Sequence, residues 1–237
     1  MRAIDISNFT DLGASVVQGL KQENVTRVIL GLHDLAKTEH QLRLLNNQFE
    51  IHFFAFFDAS KLDADTGRVK QFINYCRVEK IAEPDKLWID IEDNEYIQVV
   101  NQEQLHYVIN SFVGIIHTGI YTSLSQWTKH INSTEFMDMP LWDASYNDGY
   151  PKRLDLLNHY GGWGRSEMKQ HTANTFVGGV YCDDNYYEEL NTQHLGFEET
   201  HLVTNSEIIQ ALQDINERVF QMKWTKLSNG YRLEKLF

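Results

Sequence analysis

Eight short apolar runs, rich in Ile, Val, Phe and Tyr, recur along most of this 237-residue chain and limit the folds open to it. In the first half, segments with helical periodicity separate the runs, which is the signature of βα units around a largely parallel sheet. After Tyr146 the spacers become loop-like, so the later connections are expected to lack full helices. The pattern predicts an α/β fold, a TIM-like (β/α) barrel of eight mostly parallel strands with some helices missing. The runs are RAIDIS (2–7), TRVILGL (26–32), IHFFAFF (51–57), KLWIDIE (86–92), VGIIHTGIYT (113–122), PLWDASY (140–146), MKQHTA (168–173) and GGVYCDD (178–184).

The fourth run, in the stretch KLWIDIEDN, carries two acids where a buried strand should be apolar. Because side chains alternate across a strand, Asp90 and Glu92 share a face with Trp88. The opposite face is wholly apolar, which indicates that both sides of this strand are covered. Burying ionised carboxylates without partners is costly, so packing alone does not account for the pair. The two acids therefore predict a functional site.

Other runs place acids in similar positions. Asp5 lies in the first run, Asp143 in the sixth, and Asp183 and Asp184 at the end of the eighth. Functional groups of barrels lie at the C-terminal ends of the strands. We therefore expect these acids to converge with those of the fourth run on one mouth of the barrel.

A set of motifs in a fixed order makes the chain resemble glycoside hydrolase family 25, the Chalaropsis-type lysozymes, which include phage endolysins. The resemblance covers roughly residues 1 to 187. The motifs are AIDIS, WIDIED with its D-x-E spacing, GIYTS followed by Trp127, PLWDASY, KQHT and VYCDDN. Each motif is weak alone, but their order and spacing together are fairly specific.

The resemblance implies a peptidoglycan hydrolase that cleaves the β-1,4 bond after N-acetylmuramic acid, without a cofactor. It implies that Glu92 is the general acid and that Asp90 stabilises the reacting sugar. Asp5 and Asp183 would complete an acidic floor, and Gln170 of the KQHT motif would contact the substrate.

The spacing of the two acids leaves the stereochemical course open. Residues i and i+2 of a strand lie about 6.6 Å apart at Cα, near the boundary between retaining and inverting separations. A third route also fits a hexosamine substrate. In it, the substrate's own N-acetyl group attacks the anomeric carbon while Asp90 stabilises that group. Crowding by Asp90, Asp5 and Asp183 is expected to favour the protonated form of Glu92, as a general acid requires.

Several aromatic residues lie in or beside the same runs. They are expected either to present flat faces to sugar rings or to pack as ordinary core residues. They are Phe56, Phe57, Tyr121, Trp142 and Tyr146.

Departures from the family pattern keep a second function open. Phe56 and Phe57 stand where the family usually has a tyrosine, GLHDLAK replaces the usual segment after the second strand, and His171 replaces the tyrosine of Q-Y-T. The carboxylates remain. The leading interpretation is a muramidase, and the alternative is a non-catalytic glycan-binding or structural phage module on the same barrel.

Composition excludes several other classes. The net charge of −12 argues against a sequence-independent grip on nucleic acid. No apolar run reaches the roughly 18 residues of a membrane span, and the N-terminus has no signal-peptide pattern. We therefore expect synthesis in the cytoplasm, holin-type release and action on the bacterial cell wall.

The sequence predicts no metal site, because the histidines and the DADTG segment lack metal-site spacing. The GGWG segment (161–164) predicts a flexible loop near the mouth.

The C-terminal part is predicted to be an appendage, with a catalytic barrel over 1–190 and a linker, helix and β-hairpin over 191–237. Thr204 and Glu207 form a capping box ahead of a helical pattern, and Asn229–Gly230 favours a type I′ hairpin turn. Residues 217–237 carry a charge of +3, against −15 for the rest. This tail is expected either to pack on the barrel or a second subunit, as an oligomerisation element, or to target the wall.

Overall fold

The structure, a computed structural model, describes residues 1–188 except 8, 9, 11, 14, 46, 147 and 148, and the backbone of 222–227 and 230–235. The chain divides into two compact units, Met1–Glu189 and Leu190–Phe237. Each unit is described by itself.

Eight strands of the first unit form a closed barrel, and each of the eight predicted runs supplies one of them, which confirms the predicted fold class. The barrel strands are β1 (Arg2–Ile6), β2 (Val25–Gly31), β3 (Glu50–Ala55), β4 (Lys86–Ile91), β5 (His117–Thr122), β6 (Leu141–Ala144), β9 (Met168–Val177) and β10 (Val180–Tyr187). Around the barrel they follow the order β1-β10-β9-β6-β5-β4-β3-β2. Six neighbouring pairs are parallel, and β10 is antiparallel to both β9 and β1.

Helices follow the first five strands, as the early spacers predicted. They are α1 (Val16–Gln22), α2 (Leu35–Leu45), α3 (Leu62–Val78), α4 (Gln102–Ser111) and α5 (Leu124–His130). After β6 the chain forms a small antiparallel hairpin, β7 (Asp155–Tyr160) and β8 (Trp163–Arg165). Trp163 of this hairpin is buried against Trp127 of α5, with ring centroids 4.8 Å apart. The hairpin thus occupies the connection between β6 and β9, where the sequence predicted that a full helix would be absent.

The sequence predicted a flexible loop at the GGWG segment. The structure instead has the turn and the first residues of the second strand of this hairpin there. Gly161 and Gly162 have φ of 59° and 83°, a left-handed conformation that glycine adopts without steric cost.

The strands separate two buried layers. Trp88 of β4 packs inside the barrel with a small cluster that includes Trp142 and Tyr121. Leu87, Ile89 and Ile91 belong to the larger core between the strands and the helices. The alternation predicted for the fourth run is therefore present, and it points Asp90 into the barrel.

A close contact between glycines joins α1 to the turn between β9 and β10. A Cβ on Gly19 would lie 2.0 Å from the carbonyl oxygen of Gly178. Gly19→Ala is therefore expected to lower the free energy of unfolding by about 1–3 kcal/mol, measured by urea titration. The matched control is Gly67→Ala in α3, where a Cβ would meet no atom within 4 Å, and it should stabilise by about 0.5–1 kcal/mol. Equal midpoints for the Gly19 variant and wild type would contradict the contact.

In the second unit, β11 (Met222–Leu227) and β12 (Gly230–Lys235) pair antiparallel. The predicted hairpin is present, but its strands pair two residues away from the register that a turn centred on Asn229–Gly230 would give. Leu227 pairs with Gly230, so Gly230 begins β12. The helix predicted from Thr204 lies outside the described residues, and the proposed role in oligomerisation stays a prediction.

In the part of the chain that the structure describes, no helix has the length and apolarity to cross a membrane.

Candidate active site

A cleft of about 550 Å³ opens at the C-terminal ends of the barrel strands. Four of the predicted acids line it: Asp5, Asp90, Glu92 and Asp183. Asp5 and Asp183 are paired across β1 and β10, Asp90 lies near the end of β4, and Glu92 follows that strand directly. The four acids come from three segments that are far apart in sequence. The barrel brings these segments together when β10 pairs with both β1 and β9 and closes it.

Asp5 and Asp183 are held by one amide. Gln170 Nε2 donates to Asp5 Oδ1 at 2.9 Å and to Asp183 Oδ2 at 3.0 Å. Gln170 Oε1 accepts from Tyr121 at 2.8 Å and from the hydroxyl of Tyr146. Both amide hydrogens and both lone pairs of Gln170 are thus used within the protein. Gln170 lines the cleft and holds both acids in place, and its predicted contact with the substrate stays a prediction.

Asn185 is a site residue that sequence reasoning missed. Its Nδ2 donates to Asp5 Oδ1 at 2.7 Å, and its Oδ1 accepts from Trp142 Nε1 at 2.8 Å. It is buried on β10, two residues after Asp183. The asparagine that ends the VYCDDN motif was the available signal, because a polar residue on the inner face of a barrel strand needs a partner there.

Burial and mutual repulsion raise the pKa of the clustered acids. Burial, followed by the charge of Asp183, raises the pKa of Asp5 to about 7. Burial, followed by Asp183 and Asp93, raises the pKa of Glu92 to about 7. Burial, followed by Glu92 and Asp5, raises the pKa of Asp90 well above its usual value, and Asp90 Oδ1 is buried with no hydrogen-bond partner among the described residues. The cleft therefore holds exchangeable protons at neutral pH.

Asp143 and Asp184 do not join the cleft, contrary to the sequence expectation. Asp143 faces outward and accepts a hydrogen bond from Tyr160 at 2.6 Å, beside a separate cavity of about 740 Å³ between α5 and β7. Asp184 makes two hydrogen bonds with Arg2, at 2.9 and 2.8 Å. Both residues neighbour a strand position that faces inward, and the period of two turns them to the other side.

The predicted aromatic residues divide between the cleft and the core. Phe56 is half-buried and lines the cleft. Tyr121 and Trp142 reach the cleft floor but are only 6% and 1% exposed, so they belong mainly to the barrel interior. Tyr146 is 45% exposed and touches the site through Gln170. Phe57 packs in the outer core against Phe112, away from the cleft.

One wall of the cleft comes from the segment that departs from the family pattern. His33 of GLHDLAK lies 5.1 Å from Phe56 between ring centroids. Arg68 of α3 lines the same wall and donates to the carbonyl of Leu32 at 2.7 Å. The replacement is visible in the sequence, but neither residue was predicted to belong to the site.

A group of possible metal ligands lies at the opposite end of the barrel. Ligand atoms of Glu50, His52 and Asp85 lie within 4.8 Å of one another. His52 accepts from Trp88 Nε1 at 3.0 Å and its other ring nitrogen meets Glu50 at 3.0 Å. Arg27 donates to Glu50 at 2.8 Å. Because Glu50 already bonds both His52 and Arg27, and Arg27 supplies the positive charge, we interpret these two contacts as a structural ion-pair network.

The closed barrel and the cluster of Asp5, Asp90, Glu92 and Asp183 in its cleft match a barrel glycosidase, since glycoside hydrolysis uses a pair of carboxyl groups, one of them with a raised pKa. The family profile Lysozyme-like protein 1 matches residues 3–171. The chain belongs to this lysozyme-like family, and it is a glycoside hydrolase of the family 25 type, as its motifs predicted.

A relative by sequence carries the family 25 name, and two solved structures at 19% and 18% identity share the fold. Probable GH family 25 lysozyme 5 of Dictyostelium discoideum is 25% identical over 203 residues, covering 78% of this chain and 89% of that protein. A GH25 lysozyme structure from Aspergillus fumigatus has a TM-score of 0.59 at 19% identity, covering 81% of this chain and 95% of the other. The catalytic domain of endolysin ply40, from a bacteriophage of Listeria monocytogenes, has a TM-score of 0.59 at 18% identity, covering 80% and 93%.

Proposed function

We propose that this protein hydrolyses peptidoglycan at the β-1,4 bond between N-acetylmuramic acid and N-acetylglucosamine. Glu92 is the general acid, and Asp90 stabilises the reacting sugar. The observation that supports this most is the position of Glu92, a carboxyl with a pKa raised to about 7 beside the buried Asp90 in an open cleft. The family membership supports the reaction class.

In this proposal the reaction begins with protonated Glu92, which donates its proton to the glycosidic oxygen as the bond breaks. Positive charge develops on the sugar ring as the bond breaks, and Asp90 then releases its proton to solvent and stabilises that charge as a carboxylate. Water supplies the hydroxyl group that ends on the anomeric carbon, and a carboxylate of the cleft accepts the proton that this water loses. Gln170 and Asn185 hold Asp5 and Asp183 beside the pair. The inverting, retaining and substrate-assisted routes all remain compatible with this arrangement.

The activity is expected to fall as the pH rises through about 7. Glu92 must carry a proton to act, and its pKa is raised to about 7, chiefly by burial. Between pH 6 and pH 8 the protonated fraction drops about tenfold, so kcat/KM should fall about tenfold on the alkaline limb. Initial rates on wall fragments across this range measure it. An alkaline limb centred near pH 4.5, the ordinary pKa of a glutamate, would show that the pKa of the catalytic acid is not raised in this cleft.

The function itself is tested by incubating the purified protein with Gram-positive cell walls. Clearing of turbidity is expected, together with new reducing ends on N-acetylmuramic acid. Reducing ends on N-acetylglucosamine would show that the other bond is cut. Binding to walls without any new reducing end would favour the non-catalytic glycan-binding module, the alternative that the Phe56 and His171 replacements support.

The setting of the reaction is a separate proposal. One relative by sequence, probable GH family 25 lysozyme 5, comes from Dictyostelium discoideum, and the similarity to the endolysin is a similarity of fold. A phage origin, holin-type release and action on the wall from the cytoplasm stay predictions.

A further inference from the structure

The tip of the β9–β10 hairpin carries two exposed aromatic rings that the fold does not use. Phe176 is 61% exposed and Tyr181 is 69% exposed. The two residues are paired across the strands, and their ring centroids lie 5.0 Å apart. Single exposed aromatic side chains are common, but two in contact form a small apolar surface on which a flat ligand can stack. These two residues are called the aromatic pair.

The aromatic pair lies on the same side of the hairpin as the acidic cleft. Val177, Val180 and Cys182 point into the outer core, so the alternating residues between them point the other way. Tyr181 therefore shares a face with Asp183, the next inward residue along β10, at a Cα separation of about 7 Å. Phe176, as the cross-strand partner of Tyr181, faces the same side.

The hairpin tip is anchored, which gives the rings a fixed place. Val177 and Val180 are 1% and 2% exposed. The hydroxyl of Thr10 donates to the carbonyl of Tyr181 at 3.3 Å, and the turn at Gly178 packs on Gly19 of α1. A rigid support reduces the ordering cost of binding.

We propose that the aromatic pair is an outer subsite for N-acetylhexosamine units of the same glycan strand whose bond is cleaved in the cleft. This inference rests on the proposed function. A polymer cut within its length continues beyond the reacting bond, and the pair adjoins the cleft at Asp183. Sugar rings offer apolar C–H faces that stack on aromatic rings. Two rings offer far less area than the roughly 1,000 Å² of a specific protein interface, which argues against a protein partner.

The test uses binding without turnover, in a Glu92→Gln background. Calorimetric titration compares the hexamer and the dimer of N-acetylglucosamine with and without the double change Phe176→Ser and Tyr181→Ser. The hexamer is expected to bind about 3- to 10-fold more weakly to the double variant, while dimer affinity is unchanged. Tyr107→Ser, which removes an exposed aromatic ring on α4, is the matched control and should change neither. Tyr181→Leu should also weaken hexamer binding, because it keeps apolar surface but loses the flat face.

Unchanged hexamer affinity in the double variant, with an unchanged thermal unfolding midpoint, would overturn the subsite. Failure of the Glu92→Gln protein to bind the hexamer would overturn it as well. Equal weakening of dimer and hexamer would locate the effect in the cleft and also contradict the proposal. Absence of reducing ends from walls treated with the wild type would instead overturn the proposed reaction, since the titrations need no cleavage. In an active wild-type background, the double variant should raise KM on intact walls and leave kcat unchanged.

Discussion

Glu92→Gln is expected to lower the rate of wall cleavage by about 10²–10⁴-fold, the usual contribution of general acid catalysis. Glutamine keeps the shape of the side chain but cannot give up a proton to the glycosidic oxygen. Initial rates of reducing-end release measure the effect, and circular dichroism with a thermal melt checks that the variant is folded.

Glu95→Gln is the matched control for this variant. Glu95 is exposed and lies three residues later, so the same chemical change should leave the rate within about twofold, as expected for a surface substitution away from the chemistry. Retention of more than roughly a tenth of the wild-type rate by the Glu92 variant would contradict its assignment as the acid. A comparable loss in the Glu95 variant would show that general electrostatics near the cleft, and not one proton donor, set the rate.

Asp90→Asn is expected to lower the rate by about 10²–10³-fold, because asparagine cannot ionise as positive charge develops on the sugar ring. The same substitution should stabilise the fold at neutral pH. Asp90 is buried with one carboxyl oxygen unpartnered among the described residues, and an amide there carries no charge to bury. A full rate in this variant would move the supporting role to Asp5 or Asp183.

The stabilisation by Asp90→Asn should grow with pH. Burial raises the pKa of Asp90 in the folded protein well above its value in the unfolded chain. As the pH rises above about 4, the unfolded chain loses this proton while the folded protein keeps it, so the free energy of unfolding falls. Asparagine does not titrate and removes that fall. We expect a gain of roughly 0.5–2 kcal/mol at pH 7 and little difference near pH 4. A variant that is less stable than wild type at pH 7 would contradict this account of the site.

The positions of the strands could be predicted from the sequence because local patterns carry them. Each of the eight apolar runs can be recognised as a strand without knowledge of its neighbours in the sheet. The helical spacers can be recognised in the same way, because their periodicity is also local. The direction of β10 was not visible in this way. An apolar run reads the same in either direction, and only the short Gly178–Gly179 turn, packed on Gly19, shows that the chain reverses there.

The candidate site divides along the same line. The pair Asp90 and Glu92 could be recognised from the sequence, because two acids on one face of a buried strand contradict packing in any fold. Which distant acids join them was decided by the tertiary structure. Asp183 faces the cleft and its neighbour Asp184 binds Arg2, a difference of one residue whose outcome depends on how β10 registers against β1.

Hydrogen-bond partners were the least accessible feature. Gln170 and Asn185 hold Asp5 because β9 and β10 meet β1 in the barrel, although both residues lie more than 160 positions from Asp5 in sequence. Residue type and local period alone therefore determined the strands and the first two acids. The closure of the barrel decided their partners, because a buried polar side chain bonds to whatever polar group the fold brings within reach.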